Sequence, residues 1–171
     1  MSIEEHKKQA QKSVICKVIT VSDTRDKETD KSGKLMIELL ENAGHRIGDY
    51  VIVKDEEEPI REAVLKGSLD PDIDVILTNG GTGIALRDVT IETVQSLFDK
   101  EITGFGELFR MLSYQEDIGS AAILSRAAAG VIGNKAVFST PGSSGAVKLA
   151  INKLILPELG HVVRELKKDL S

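Results

Sequence analysis

The sequence predicts a single α/β domain with a mostly parallel sheet. Short apolar runs, such as residues 14–21 and 73–77, have the length and composition of strands that are buried on both faces. Segments with helical periodicity lie between these runs, and such alternation is typical of right-handed crossovers in a parallel sheet. No repeat, low-complexity tract or linker divides the chain.

Four segments are predicted as strands. Residues 14–21 are almost continuously apolar, whereas residues 46–53 alternate more between apolar and polar side chains. Residues 73–77 are apolar again. Residues 135–139 form a short run that ends before Pro141 and Gly142, which interrupt regular structure.

Helical patterns fill most of the remaining chain. Leu35, Met36, Leu39 and Leu40 lie on one helical face, and Gly44 is expected to end that helix. The other helical segments are residues 59–66, 91–98, 146–155 and 159–170, and two stretches around residues 108–114 and 118–130. A loop is predicted at residues 103–106, and Pro157 either breaks the last helix or occupies its first turn.

The composition narrows the class of protein. With 171 residues, 41% of them hydrophobic and 29% charged, the chain is typical of one globular domain. Its net charge of −5 argues against nucleic-acid binding, which needs a basic surface. No apolar run approaches the roughly 20 residues of a membrane span. Residues 1–12 are a polar extension without the apolar core of a signal peptide, so we predict a cytoplasmic protein whose domain spans residues 13–171.

A glycine-rich motif follows the third predicted strand. It reads Thr78-Asn79-Gly80-Gly81-Thr82-Gly83, and Asp88 comes five residues later. Glycines at the carboxyl end of a buried strand leave N–H groups open to a phosphate, and a nearby carboxylate is placed to hold a metal ion against it. The motif is neither a P-loop nor a dinucleotide fingerprint, because the lysine and the third glycine are missing. A tight turn without a ligand is the alternative.

Polar loops follow the other three predicted strands as well. They are Ser22-Asp23-Thr24-Arg25 after the first strand, Lys54-Asp55-Glu56 after the second, and residues 139–145 after the fourth. Each loop by itself also fits a solvated turn or a helix cap. Because the carboxyl ends of parallel strands meet at one edge of a sheet, we expect the loops to converge on a crevice that binds a phosphorylated small molecule.

With these loops assembled, the chain resembles the MoaB/Mog family of molybdenum-cofactor biosynthesis proteins, and it is most similar to the bacterial MoaB branch. The likeness spans residues 14 to 166, approximately. The residues that carry it are Ser22-Asp23-Thr24-Arg25, Thr78-Asn79-Gly80-Gly81-Thr82-Gly83, Arg87-Asp88-Val89-Thr90, Pro141-Gly142-Ser143 and the segment from Glu116 to Ala129.

The resemblance implies a three-layer α/β/α fold with a mostly parallel central sheet, a single domain that binds molybdopterin, a phosphorylated pterin dithiolene. Catalytically active members transfer AMP from Mg-ATP to the terminal phosphate of molybdopterin, and a downstream protein then inserts molybdate. By resemblance, Asp88 and Asp55 are the catalytic residues and the Mg²⁺ ligands. Molybdopterin and its phosphate are expected at Thr78, Asn79, Gly80, Gly81, Thr82, Gly83, Ser139, Pro141, Gly142, Ser143 and Ser144. The nucleotide is expected at Ser22, Asp23, Thr24 and Arg25.

The chemistry of that reaction is consistent with glycine-rich rather than lysine-rich loops. A phosphate monoester is already an anion near neutral pH, so it scarcely needs a general base. The difficulty is to bring two polyanions together and to stabilise the departing pyrophosphate, which calls for Mg²⁺, cations and oriented N–H groups. Arg25, Arg87 and Lys148 are the candidate cations. Two other functions stay open: a protein that binds molybdopterin without turnover, and an interaction module.

A cluster of apolar side chains lies between glycine-rich loops. Its members are Phe105, Leu108, Phe109, Met111, Leu112 and Tyr114. Such a cluster belongs either to the core or to a contact between subunits, because large apolar patches are rarely exposed on monomers. The resemblance favours a subunit contact, and it implies a homotrimer or a hexamer built from trimers.

Overall fold

The fold is built on a six-stranded sheet, seen in a computed structural model that describes residues 2–8 and 13–170. The strands are β1 (Ile15–Val21), β2 (Arg46–Val53), β3 (Val75–Asn79), β4 (Lys100–Glu101), β5 (Ala128–Ile132) and β6 (Lys135–Thr140). Their order across the sheet is β2-β1-β3-β6-β5-β4. Strands β2, β1, β3 and β6 are mutually parallel, while β5 runs antiparallel to both β6 and β4.

Helices cover both faces of this sheet. They are α1 (Ile3–Lys8), α2 (Lys31–Asn42), α3 (Glu57–Leu69), α4 (Thr90–Leu97), α5 (Thr103–Glu116), α6 (Ser144–Ala150) and α7 (Leu156–Lys167). Helices α2, α5, α6 and α7 contribute to one hydrophobic cluster, and α3 and α4 contribute to the other. The predicted three-layer α/β fold is therefore confirmed.

Strand β1 shows why its sequence is apolar almost throughout. Successive side chains of a strand point to opposite faces of the sheet. Cys16 and Val18 are buried in the cluster formed with α2, whereas Ile19 and Val21 are buried in the cluster formed with α3. Burial also raises the pKa of the Cys16 thiol to about 12, so this cysteine serves as a small core residue.

Helix α2 begins and ends as its sequence indicates. The carboxylate of Asp30 accepts a hydrogen bond from the backbone N–H of Gly33 at 3.0 Å and so caps the first turn. Met36 and Leu40 are fully buried against the sheet. Beyond the last turn, Gly44 has φ of +91°, the left-handed conformation that favours glycine.

The sequence interpretation was wrong between residues 103 and 132. Thr103 begins α5, although a loop was predicted there, and the second half of the stretch 118–130 leads into an antiparallel strand, β5. The small residues of β5 have little strand preference, which hid it. One of them, Gly130, is small because the ring of Phe98 lies on its Cα, where a β-carbon would come closer than 3.0 Å.

Helices α6 and α7 are joined without a break in helical structure. A π-helical segment, Ile151–Ile155, joins α6 to α7, and Pro157 lies in the first turn of α7, so it does not break the chain path. Within residues 2–8 and 13–170, no helix has both the length and the apolar composition of a membrane span. The cytoplasmic location stays a prediction. The predicted domain boundary after residue 12 also stays a prediction, because residues 9–12 are outside the part of the chain that the structure describes.

Candidate functional site

The loops that follow β1, β2, β3 and β6 surround one cleft of about 710 Å³ at the carboxyl edge of the sheet. Parallel strands bring these four loops together, as expected from the topology. Among the predicted site residues, those that line the cleft are Ser22, Asp23, Thr24, Arg25, Asp55, Gly80, Gly81, Thr82, Gly83, Asp88, Pro141 and Gly142.

The glycine loop, residues 80–88, approaches its neighbours so closely at Gly80 and Gly81 that a side chain would not fit at these two positions. Gly80 and Gly81 have φ of +99° and +68°. A β-carbon on Gly80 would lie closer than 3.0 Å to the Val21 carbonyl oxygen, and one on Gly142 would lie 3.1 Å from the Gly80 Cα. The loop ends are tied by hydrogen bonds from the Gly80 N–H to the Thr140 carbonyl and from the Thr90 N–H to the Gly81 carbonyl, both of 3.1 Å. The loops are thus preorganised by backbone contacts.

Four successive N–H groups of this loop stay available to a ligand. Those of Gly81, Thr82, Gly83 and Ile84 donate no hydrogen bond to any residue that the structure describes. Unpaired N–H groups in such a turn form a concave site for an anion. The glycine loop therefore has the donors that a phosphate group requires.

Three carboxylates lie at the same cleft. One oxygen of Asp23 accepts the backbone N–H of Asp55 at 2.9 Å, and the other pairs with Arg87. Asp88 Oδ2 accepts the N–H of Ala85 at 3.1 Å. Asp55 Oδ1 is buried and has no hydrogen-bond partner among the described residues.

Burial raises the pKa of the Asp55 carboxyl, and the charges of Asp88 and Asp23 raise it further, against an opposing effect of Arg87. The ionised form is thus disfavoured by its surroundings, and a bound cation would relieve this repulsion. The hydroxyl of Thr90, also buried and without a described partner, lies near the same point. A β-carbon on Gly81 would come closer than 3.0 Å to both oxygen atoms.

Arg25 lines the same cleft and is held there partly by two residues that the sequence interpretation did not select, Asp30 and Ser32. Its guanidinium donates to Ser32 Oγ at 2.5 Å and to the Gly142 carbonyl at 3.3 Å, and lies 3.5 Å from the Asp30 carboxylate. The buried Asp30 also accepts the Tyr50 hydroxyl at 2.5 Å. The helix-cap pattern Asp30-Lys31-Ser32-Gly33 was the available signal for these residues.

Comparisons with known proteins identify the family of this chain. A sequence model of the family described as a probable molybdopterin binding domain matches residues 17–161. Molybdenum cofactor biosynthesis protein B of Bacillus subtilis is 69% identical over 169 residues, which cover 99% of each chain. The chain belongs to the MoaB/Mog family of molybdenum-cofactor biosynthesis proteins.

Solved structures of MoaB/Mog proteins share the fold. A crystal structure of a molybdenum cofactor biosynthesis protein B is 66% identical, covers 94% of this chain and 99% of its own, and superposes with a TM-score of 0.91. The tungsten cofactor synthesizing protein MoaB from Pyrococcus furiosus is 41% identical, with coverage of 92% and 99% and a TM-score of 0.81. MogA is 28% identical, with coverage of 89% and 99% and a TM-score of 0.79.

Three residues that the MoaB/Mog resemblance assigned to the ligand do not line the cleft. Thr78, Asn79 and Ser139 are fully buried, and Thr78 Oγ1 lies 2.8 Å from Ser139 Oγ. The Asn79 side chain accepts from Ser32 at 2.8 Å and donates to Thr20 at 3.0 Å. Their side chains therefore lie outside the lining of the cleft, and their contact with molybdopterin stays a prediction.

Two serines that were predicted to bind molybdopterin, Ser143 and Ser144, lie outside the lining of the cleft. Ser143 caps α6 by accepting the N–H of Ala146 at 3.2 Å, and both Ser143 and Ser144 are exposed. The candidate cation Lys148 is likewise outside the lining, whereas Arg87 lies within it.

The far wall of the cleft was missed by the sequence interpretation. It consists of Ile118, Ala121, Leu124 and Ser125, in and beside the 3-10 turn Gly119–Leu124. This turn packs on α5, and its sequence carries no polar pattern that points to a site. Its position depends on long-range packing, which periodicity does not report.

Proposed function

We propose that this MoaB/Mog protein is a molybdopterin adenylyltransferase, which transfers AMP from Mg-ATP to the terminal phosphate of molybdopterin and releases pyrophosphate. Family membership supports molybdopterin as the pterin substrate. The finer assignment to adenylyl transfer depends on the charges of the cleft.

The observation that carries the proposal is the environment of Asp55. Its buried, unpartnered oxygen lies near two further carboxylates, in the same cleft as four available N–H groups. A site for a lone phosphate gains nothing from carboxylates, because like charges repel it. A site for a magnesium nucleotide needs both kinds of group, since the N–H groups bind phosphate and the carboxylates bind the cation.

The residues present fit Mg²⁺. This ion commonly takes one or two protein carboxylates and completes its octahedron with waters and substrate phosphates. Asp55 Oδ1 has no competing partner, and Asp88 uses Oδ2 for the Ala85 N–H, so each has an oxygen to offer. Among the described residues no group of three or more histidine, cysteine or acidic side chains forms a metal cage, so the substrate must supply ligands. When bound, Mg²⁺ neutralises charge on the nucleotide phosphates.

The residues of the chain have mainly positioning roles in this reaction. N–H groups of the glycine loop hold the molybdopterin phosphate, and Arg25 is oriented by Ser32 and Gly142 toward the same cleft. A phosphate oxygen of molybdopterin forms a bond to the α-phosphorus of ATP. The bond from that phosphorus to the bridging oxygen breaks, and pyrophosphate departs with the electron pair. No side chain needs to remove a proton.

The deciding experiment follows AMP transfer directly. Purified protein is incubated with molybdopterin, Mg²⁺ and ATP labelled at the α-phosphate, and both pyrophosphate and label on the pterin are measured. We expect equal amounts of the two products. Tight binding of molybdopterin without either product would overturn the proposal in favour of a protein that only holds the pterin. Transfer to a downstream molybdate-insertion protein stays a prediction.

We also propose a homotrimer or a hexamer of trimers. The apolar cluster predicted on α5 is divided in the structure: Phe105 and Phe109 belong to the core, whereas Leu108, Met111 and Tyr114 are about half exposed. Ile118, Ile123 and Leu124 add further exposed apolar side chains beside them. Apolar side chains in such numbers support a subunit contact. Light scattering that shows only an 18.5 kDa species would contradict it.

A further inference from the structure

Arg126 holds the glycine loop from the side opposite to the cleft. It does not line the cleft, although it follows the wall residue Ser125. Its Nε donates to the carbonyls of Thr82 at 3.2 Å and Gly83 at 3.1 Å. Its Nη2 donates to the same Gly83 carbonyl at 2.7 Å and to the Asp88 carbonyl at 3.3 Å. One guanidinium thus binds both ends of the loop.

These contacts fix the direction of the peptide groups. Every peptide bond in the described residues is trans. In a trans peptide the carbonyl and the following N–H point in opposite directions. Because the carbonyls of Thr82 and Gly83 point to Arg126, the N–H groups of Gly83 and Ile84 point away from it. Of these two residues, Gly83 lines the cleft. Both N–H groups are among those without a described acceptor.

The charge of Arg126 is compensated on the same side. Nη1 pairs with Oε1 of Glu92, and Nη2 lies 3.3 Å from Oε2, so the first turn of α4 holds the guanidinium. This ion pair also lowers the pKa of the Glu92 carboxyl, with the hydrogen bond as its main cause. Arg126 therefore acts on the cleft mainly through the orientation of the peptide groups, and little through its own charge.

We propose that Arg126 is a positioning residue, which turns the N–H group of Gly83 into the cleft and thereby sets the affinity for the phosphate of the pterin. This proposal rests on the proposed function, because it assumes that the glycine loop binds that phosphate. A planar guanidinium can hold two adjacent carbonyls at once, and an ammonium cannot hold them in the same fixed plane.

The test compares molybdopterin with the same pterin after phosphatase treatment, in binding titrations without ATP. Arg126→Lys keeps the charge and loses the planar contact. We expect its Kd for molybdopterin to rise about tenfold, with the Kd for the dephosphorylated pterin unchanged within about twofold. An equal loss for both pterins would identify a general structural role, and no loss for either would exclude positioning. Either result overturns the proposal.

Two matched variants separate the carbonyl contacts from charge. Glu92→Gln removes the ion pair and keeps the carbonyls, so it should raise both Kd values less than about threefold. Arg110→Gln removes a nearby cation that donates to the Ala127 carbonyl at 3.4 Å and does not touch the glycine loop. It should leave both Kd values unchanged. A tenfold effect of Arg110→Gln on molybdopterin alone would show that net charge, and not positioning, sets the affinity.

A second measurement needs no substitution, which protects the test if Arg126→Lys does not fold. In the wild-type protein, the amide resonance of Gly83 should shift with molybdopterin and not with the dephosphorylated pterin. If both pterins shift it equally, the proposal is overturned. If wild-type protein binds the two pterins with equal affinity, the phosphate site fails, and the proposed function fails with it. Wild-type discrimination that Arg126→Lys retains would overturn the role of Arg126 alone.

Discussion

The two ends of the parallel sheet differ in the pairing of one carboxylate, Asp55. At the amino end, the buried charged groups are paired: Lys17 donates to the Ala63 carbonyl at 2.9 Å and lies 3.3 Å from Asp49. Asp74 accepts the Ile15 N–H at 2.9 Å and the Lys167 ammonium at 2.6 Å. At the carboxyl end, Asp55 keeps a buried oxygen without a described partner.

The paired groups at the amino end stabilise the fold, whereas the Asp55 carboxylate has an oxygen that we propose binds a cation. Burial lowers the pKa of Lys135, yet its ammonium donates to the carbonyls of Asp70, at 2.7 Å, and Ile73, and so closes the turn before β3. Buried charges that are paired in this way are costly to disrupt. Unpaired ones are costly to maintain, and proteins retain them where function needs them.

The largest expected effect is at the carboxyl end. Asp88→Asn keeps the shape of the side chain and removes a charge, so adenylyl transfer should fall by about 100-fold or more while molybdopterin binding changes little.

Gly81→Val should instead lose molybdopterin binding, because its β-carbon would crowd Thr90 and Asp55 at a φ of +68°. Rates of pyrophosphate release and pterin titrations distinguish the two variants. Equal loss of pterin binding would make Asp88 a binding or folding residue.

At the amino end the effect should be on stability alone. Asp74→Ala leaves the Ile15 N–H and the Lys167 ammonium without this carboxylate, and should lower the free energy of unfolding by about 3 kcal/mol. Urea denaturation measures this. The exposed Asp72, in the same turn, gives the matched variant Asp72→Ala, with an expected change within about 0.5 kcal/mol. A large loss of pterin affinity in folded Asp74→Ala would show that the two ends are not separate.

Removal of divalent cations should separate the two substrates. The triphosphate brings about four negative charges next to Asp55 and Asp88, and like charges a few ångströms apart cost several kcal/mol. With EDTA, calorimetry should show ATP affinity weakened by about 100-fold and molybdopterin affinity nearly unchanged. Tight ATP binding without metal would refute the roles of both aspartates.

The smallest expected effect is an increase in the stability of the ligand-free protein. Asp55→Asn removes a carboxylate whose pKa is raised above the ordinary 3.8, and should slightly stabilise the ligand-free protein at neutral pH. Because the folded pKa is raised, the ionised form opposes folding above that pKa, and the penalty disappears as the pH falls through it. The gain should therefore shrink as the pH falls through the raised pKa and be absent below the ordinary value of 3.8.

Thermal denaturation across this range measures the gain, with Glu56→Gln as an exposed neighbouring control. A gain that persists at acid pH would assign it to something other than the charge of Asp55. A loss of stability at neutral pH would show that the carboxylate is already satisfied in the ligand-free protein.

The sequence predicted those parts of the fold that local pattern determines. Strand β2 has the predicted bounds, and β1 and β6 differ by one residue, because apolar runs and turn residues define them. Strand β3 extends to Asn79, two residues beyond the prediction, since Thr78 and Asn79 keep their pairing with Ser139 and Thr140 of β6. Strands β4 and β5 were missed because their own residues indicate no strand: β4 has two residues and β5 begins with two alanines and a glycine. Their conformation depends on pairing with neighbouring strands.

The site was predictable where it follows strand ends and not where it depends on distant packing. The loops of Asp23, Asp55, Gly81 and Gly142 were selected from the topology, and all four residues line the cleft. Arg126 was noticed only as part of a family pattern, because its contacts are with residues some 40 positions away along the chain. Thr78 was assigned to the ligand by family resemblance, and the predicted strand ended at residue 77, whereas β3 includes Thr78.

The spread of the cleft along the chain also governs when it can form. Residues 22–25 and residues 141–142 meet only after β3 has docked on β1, with Cys16 opposite Val75, and β6 has docked on β3, with Val75 opposite Ala136. Each pairing closes a long segment of chain, and such non-local contacts slow the folding of parallel sheets. A ligand that needs the finished cleft will therefore slow unfolding without accelerating folding. During synthesis, the nascent protein acquires its binding capacity only after β6 has left the ribosome.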